Sequence, residues 1–198
     1  MQPRILGYFD HMLRATVGTK VTDRDGVAHD LSAAFTAVYA MCRQAHGKGR
    51  KVMFIGNGAG AGIASHMATD FTKNGGMRAL AFNDGAMLTC FGNDLGYDQV
   101  FAKAISMHGA EGDVLIAISA SGKSPNILNA VAAARQAGVK VVTFSGFGAD
   151  NPLRRLGDWN LYVPAGEYGL VEVAQQALIH AILDLGMGWG VQSAAAAE

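Results

Sequence analysis

The chain has 198 residues, half of them hydrophobic and 16% charged, which suits one domain with a full core and argues against disorder. Its 16 basic residues balance 16 acidic ones and form no stripe, so nothing marks a nucleic-acid groove. The 26 glycines follow no short period, which excludes collagen-like and low-complexity chains.

The N-terminal stretch MQPRILGYFDHML carries charges inside its apolar part and has no cleavage-site pattern, so it does not read as a secretory signal. No apolar run approaches the roughly 20 residues of a membrane span. The expectation is a soluble, cytoplasmic protein. Residues 3–18 and 31–46 read as helices. In the second, Leu31, Phe35, Val38, Tyr39 and Cys42 recur at helical spacing, and Asp30 stands where a cap belongs. The polar stretch TDRDGVAHD between them reads as a connection. Cys42 and Cys90 lack metal-type spacing and are expected to be buried free thiols.

From residue 50 the pattern changes. KVMFIG, RALAF, DVLIAIS, KVVTFSG and WNLYVP are short apolar runs, with helix-like stretches at 60–73, 86–109 and 124–137 between the first four. Apolar strands alternating with such helices predict an α/β fold with five parallel strands buried on both faces. A long helix follows over 170–190, and the tail VQSAAAAE is expected to fray. The chain reads as one domain, with a helical extension over about 1–48 and an α/β core over about 50–190. In such a sheet, ligands bind beyond the carboxyl ends of the strands.

Two of those ends draw attention. Gly56, Gly58 and Ala61 form G-x-G-x-x-A after a strand, with Asp84 after the next strand where a ribose-binding acid would stand; this pattern admits a dinucleotide, or simply a tight turn. SASGKSPN places Ser119, Ser121 and Ser124 within six residues, with Ser124 and Pro125 at the start of a helix. Exposed amides and hydroxyls at a helix start suit a phosphate. The G-K-S in it is not a P-loop, because position 117 is Ala. His66 and Asp70, four residues apart, share a helix face, and Glu172 and His180 lie eight apart on the last helix. Two histidines and two carboxylates suit a borderline metal such as zinc, provided the two helices meet.

Together these stretches resemble the sugar isomerase (SIS) family, and within it the sedoheptulose 7-phosphate isomerases. The family's GNGGS-type loop and H-x-x-x-E helix are matched by G-N-G-A-G with His66 and Asp70. Its GND(F/Y)G is matched by Gly92–Gly96, and its GDVLLGISTSGNSPN by GDVLIAISASGKSPN over 112–126. Its last helix carries a Gln, then a His eight residues later; Glu172 and His180 stand there. The resemblance spans roughly residues 30–190. It implies an SIS domain of three layers, and an aldose–ketose isomerase working through an enediol. It further implies Asp70 as base and His180 as acid/base partner, with Zn2+ or another divalent metal held by His66, Asp70, Glu172 and His180. The phosphate would lie on Ser119, Ala120, Ser121 and Ser124, and Asn57, Gly58, Asp94 and Glu172 would contact the substrate. No nucleotide cofactor is implied, and the assembly would be a homotetramer with sites between subunits.

The departures cluster at the site. Gly60 replaces the loop serine and Ala120 a threonine. Asp84-Gly85-Ala86 lacks a hydroxyl that the family carries, and Gly169 stands where the family has an acid. Asp70 is one methylene shorter than Glu, a retreat of about 1–1.5 Å. Glu172 adds a negative charge where the family has an amide. These changes keep a second reading open, a non-catalytic SIS module that senses a phosphosugar or binds a protein. His180, which the family's non-catalytic regulator of replication initiation lacks, argues for the enzyme.

Overall fold

The computed structural model describes residues 1–190, so the tail expected to fray lies outside the described residues. Helix α1 (Gln2–Val17) precedes a hairpin, β1 (Lys20–Asp23) and β2 (Ala28–His29), and helix α2 (Leu31–Gly47). The Asp30 carboxylate accepts from the Ala33 amide and caps α2, as its position predicts. Ala34, Val38, Cys42 and Ala45 form the buried stripe of α2.

The core then alternates: β3 (Val52–Gly56), α3 (Ala59–Lys73), β4 (Ala79–Ala81), α4 (Gly85–Leu95), α5 (Val100–His108), β5 (Val114–Ser119), α6 (Pro125–Gln136), β6 (Lys140–Ser145), β7 (Trp159–Tyr162) and α7 (Tyr168–Gly186). The strand order is β2-β1-β7-β6-β5-β3-β4. Strands β3 to β7 are parallel, as expected.

Three expectations are corrected. The connection around residues 20–29 is a hairpin whose β1 pairs antiparallel with β7, so the sheet is mixed and has seven strands. Val21 is its single buried apolar side chain, too weak a pattern to mark a strand. The Asp23 carboxylate closes its turn by accepting from the Asp25 and Val27 amides and pairing with His29. The helix expected over 86–109 breaks at Gly96, whose φ of 91° leaves the helical region, and resumes through a 3-10 turn at Tyr97–Gln99. Cys42 is buried, which pushes its thiol up to about 12, but Cys90 is exposed.

Strand residues alternate between two cores. Val52, Phe54, Val114, Ile116 and Phe144 face the layer that holds α2, α3 and α7. Met53, Ile55, Leu115, Ala117 and Val141 face the layer of α5 and α6. From β3 the chain crosses to β4 on one side, then returns to lay β5, β6 and β7 on the other. The carboxyl ends of β3 and β5 therefore flank the point where the winding reverses, and there such sheets open a crevice. Among the described residues, no helix is long and apolar enough to cross a membrane.

Candidate active site

A cavity of about 140 Å³ occupies that crevice, walled by Asn57, Gly60, Ile118, Ser119, Ala120, Ser121, Ser124, Tyr168, Glu172 and Gln175. Its first wall is the turn after β3. A Cβ on Gly56 would lie 2.4 Å from the Gly60 carbonyl carbon, so only glycine lets the strand pass so close to the start of α3. Gly58 is the N-cap of that helix. The Asn57 amide is fixed by reciprocal 2.9 Å bonds with Asn126, and its Oδ1 also accepts the Tyr97 hydroxyl at 3.2 Å.

The second wall is the turn after β5. The Ser119 and Ser124 hydroxyls lie 3.3 Å apart, and the Gly122 amide donates to the Ser119 hydroxyl. Ser124 is the N-cap of α6 and Pro125 follows it, but the Ser124 hydroxyl makes no capping bond. The hydroxyls and the start of α6 thus offer donors to an anion. Among the described residues, the only charged side chain in the cavity wall is Glu172, an acid.

The third wall is the first half of α7, which packs beside α3. These two helices bring the other expected residues together. His66 Nε2 lies 3.1 Å from His180 Nε2 and 3.3 Å from Asp70 Oδ2; His180 Nδ1 lies 3.7 Å from the same oxygen. One potential ligand atom from each falls within 4.8 Å of the others. Tetrahedral bonds of about 2.0–2.1 Å set donor atoms about 3.3–3.4 Å apart, close to the 3.1 and 3.3 Å that His66 Nε2 keeps from His180 Nε2 and Asp70 Oδ2, and two imidazoles with a carboxylate are residue types that zinc takes. His66 is half exposed and Asp70 largely buried, so the cluster opens to the surface.

The remaining candidates stand apart. Glu172 is outside the cluster and faces the cavity. Eight residues of helix separate it from His180, about 12 Å along the axis. Asp94 is exposed near the end of α4, outside the cavity wall, and accepts from the Asn93 amide. Asp84 caps α4 by accepting from Met87, which commits the carboxylate that a ribose would need. A Cβ at Gly169 would lie 3.1 Å from the Tyr8 hydroxyl, so α1 has closed on the place where an acid was expected.

Four polar residues at the site were not anticipated: Asn126, Tyr97, Tyr168 and Gln175. Asn126 closes the SPN run and Tyr97 follows Gly96, so both adjoin stretches already singled out. Gln175 had one available signal, an amide inside the apolar stripe of α7.

A SIS domain model matches residues 22–146. The chain is 33% identical over 187 residues to a phosphoheptose isomerase of Chlorobium phaeovibrioides, covering 90% of this chain and 87% of that one. A Burkholderia pseudomallei phosphoheptose isomerase is 36% identical over 161 residues, covering 78% and 81%. Among solved structures, a phosphoheptose isomerase from Francisella tularensis superposes with a TM-score of 0.79 at 26% identity, covering 95% and 98%. One from Neisseria gonorrhoeae gives 0.77 at 29%, covering 93% and 98%. The chain belongs to the SIS domain family. Within that family its similarities gather on the phosphoheptose isomerases.

Proposed function

We propose that the protein is a metal-dependent aldose–ketose isomerase acting on sedoheptulose 7-phosphate or a close relative. The relatives named above support a sugar-phosphate isomerase. The observation that carries the finer reading is the convergence of His66, Asp70 and His180 on two helices that both begin at the serine-lined cavity. His66 stands six residues beyond Gly60 on α3 and His180 five beyond Gln175 on α7, about 9 and 7.5 Å of helix. In an extended heptulose 7-phosphate, seven bonds run from C2 to phosphorus, roughly 8 Å at about 1.2 Å per bond. That length matches the helix rise from the cavity wall to the cluster, which supports a phosphate at the cavity and a reacting end at the cluster.

His66, Asp70 and His180 would hold the metal and leave a coordination position for substrate. When bound, the metal would supply Lewis acidity to the sugar oxygens. Ser119, Ser121, Ser124 and the start of α6 anchor the phosphate and so orient the reacting carbons. Asp70 Oδ2 faces both imidazoles, leaving Oδ1 to take the proton from the carbon beside the carbonyl and return it to the neighbouring carbon. His180 moves the hydroxyl proton between the two oxygens of the enediol. Asn57 contacts the sugar, and Asp94, exposed near the end of α4, contacts it where a second copy completes the site. The open cluster and the exposed apolar side chains of α1, among them Leu6, Phe9 and Leu13, support a homotetramer that covers the site.

The test is metal content combined with a panel of C5 to C8 ketose phosphates. Near-stoichiometric metal, turnover of the heptulose phosphate, and loss of turnover on chelation or in Asp70→Ala and His180→Ala are expected. Full activity of metal-free protein on every ketose phosphate would overturn the mechanism. Gly60 and Ala120 wall the cavity without hydroxyls and favour the second reading, a non-catalytic phosphosugar sensor. That reading expects tight binding without turnover.

A further inference from the structure

Among the described residues, three buried side-chain polar atoms have no hydrogen-bond partner, and two of them are the Nε2 and Oε1 of Gln175. The third, Asn83 Oδ1, belongs to an amide whose nitrogen donates to Ala61 and Ser65. Gln175 is the one whose whole carboxamide is unmet. It is fully buried, and it forms part of the cavity wall. Its neighbours on the α7 stripe are Val171, Ala174, Leu178 and Ile179, so a leucine or methionine would pack there without this penalty.

A carboxamide presents a donor and an acceptor side by side. The phosphate group of a sugar phosphate, as its dianion, offers acceptors only, and would leave Oε1 unmet. An alcohol both donates and accepts, and meets both atoms. Gln175 also lies on α7 between Glu172 at the cavity and His180 at the cluster, about 7.5 Å short of the latter. We infer that Gln175 is a specificity residue that reads a hydroxyl on the carbon chain of the phosphorylated sugar, between its phosphate and its reacting end. This rests on the reading of the cavity as a sugar-phosphate site. It adds to that reading a group that selects polyhydroxylated chains over phosphate esters of equal length that lack the hydroxyl.

The experiment compares wild type with Gln175→Met and Gln175→Leu in three measurements. These are the melting temperature without ligand, calorimetric affinity for inorganic phosphate, and calorimetric affinity for sedoheptulose 7-phosphate. The variants should melt at the wild-type temperature or about 2–4 °C above it, because an unmet amide has been removed. Phosphate affinity should stay within about twofold, and affinity for the heptulose phosphate should fall roughly 10- to 100-fold. Variants that bind the sugar phosphate as wild type does would overturn the inference. So would variants that melt several degrees lower and lose both ligands in parallel, which would make Gln175 a structural residue. A wild-type protein that binds neither phosphate nor sugar phosphate would instead overturn the underlying reading of the cavity.

Discussion

At the scale of single residues, Glu172 decides how the site is wired. It walls the cavity lined by Ser119, Ser121 and Ser124, proposed above to take the phosphate, and it stands outside the His66–Asp70–His180 cluster. A carboxylate beside a bound phosphate is a like-charge contact. Glu172→Gln should therefore tighten phosphate about 3- to 10-fold by calorimetry and leave metal affinity unchanged. A matching loss of metal would return Glu172 to the ligand set. Gly60 offers a second measurement. A Cβ there meets Ile118 at 3.5 Å, an ordinary contact, so a serine fits. Gly60→Ser should lower KM for the sugar phosphate by about 3- to 10-fold, the worth of one added hydrogen bond. Residue types at the site were legible in the sequence because their spacings are those of one helix face or one turn. Their partition was not. Glu172 and His180 fall on the same side of α7, yet more than two turns part them, and spacing on one helix does not say which of them meets α3.

At the scale of elements, the β1–β2 hairpin is the part that sequence patterning missed, and the Asp23–His29 pair closes it. The His29 ring beside Asp23 holds its carboxyl below the usual carboxylate range, with the Val27 and Asp25 amides adding to the effect. A lowered acid stabilises the fold above its ordinary range, and that contribution fades as pH falls through the lowered value. Wild type and Asp23→Asn should differ in melting temperature at pH 6, and the difference should shrink progressively as pH falls below the ordinary carboxylate value of 3.8. The five parallel strands were legible for the opposite reason: burial on both faces leaves uninterrupted apolar runs. The break in the long α4–α5 stretch was hidden, because Gly92 and Gly96 look alike in sequence and only Gly96 takes a positive φ.

At the scale of the whole molecule, α1 lies against α7 with Leu6, Phe9 and Leu13 turned outward, each about 60% exposed or more. Covering that face requires a partner, and a second copy is the proposed one. Phe9→Glu with Leu13→Glu should shift the native mass toward dimer or monomer by light scattering and lower activity in parallel. An unchanged mass would remove α1 from the interface. The fold itself needed little beyond the alternation of strand and helix, whereas the proposed assembly would use surfaces that hydrophobic periodicity assigns equally well to a core.

The paired amides of Asn57 and Asn126 span the point where the sheet reverses its winding. One belongs to the turn before α3 and the other to the first turn of α6, so an anion seated on α6 would also steady the turn before α3 through them. Hydrogen exchange should register this. Inorganic phosphate should slow exchange at residues 57–62 as well as at 122–128, and Asn126→Ala should confine the protection to the second segment. Through two hydrogen bonds, occupancy of the proposed phosphate end would become stiffness of the helix that carries His66 and Asp70.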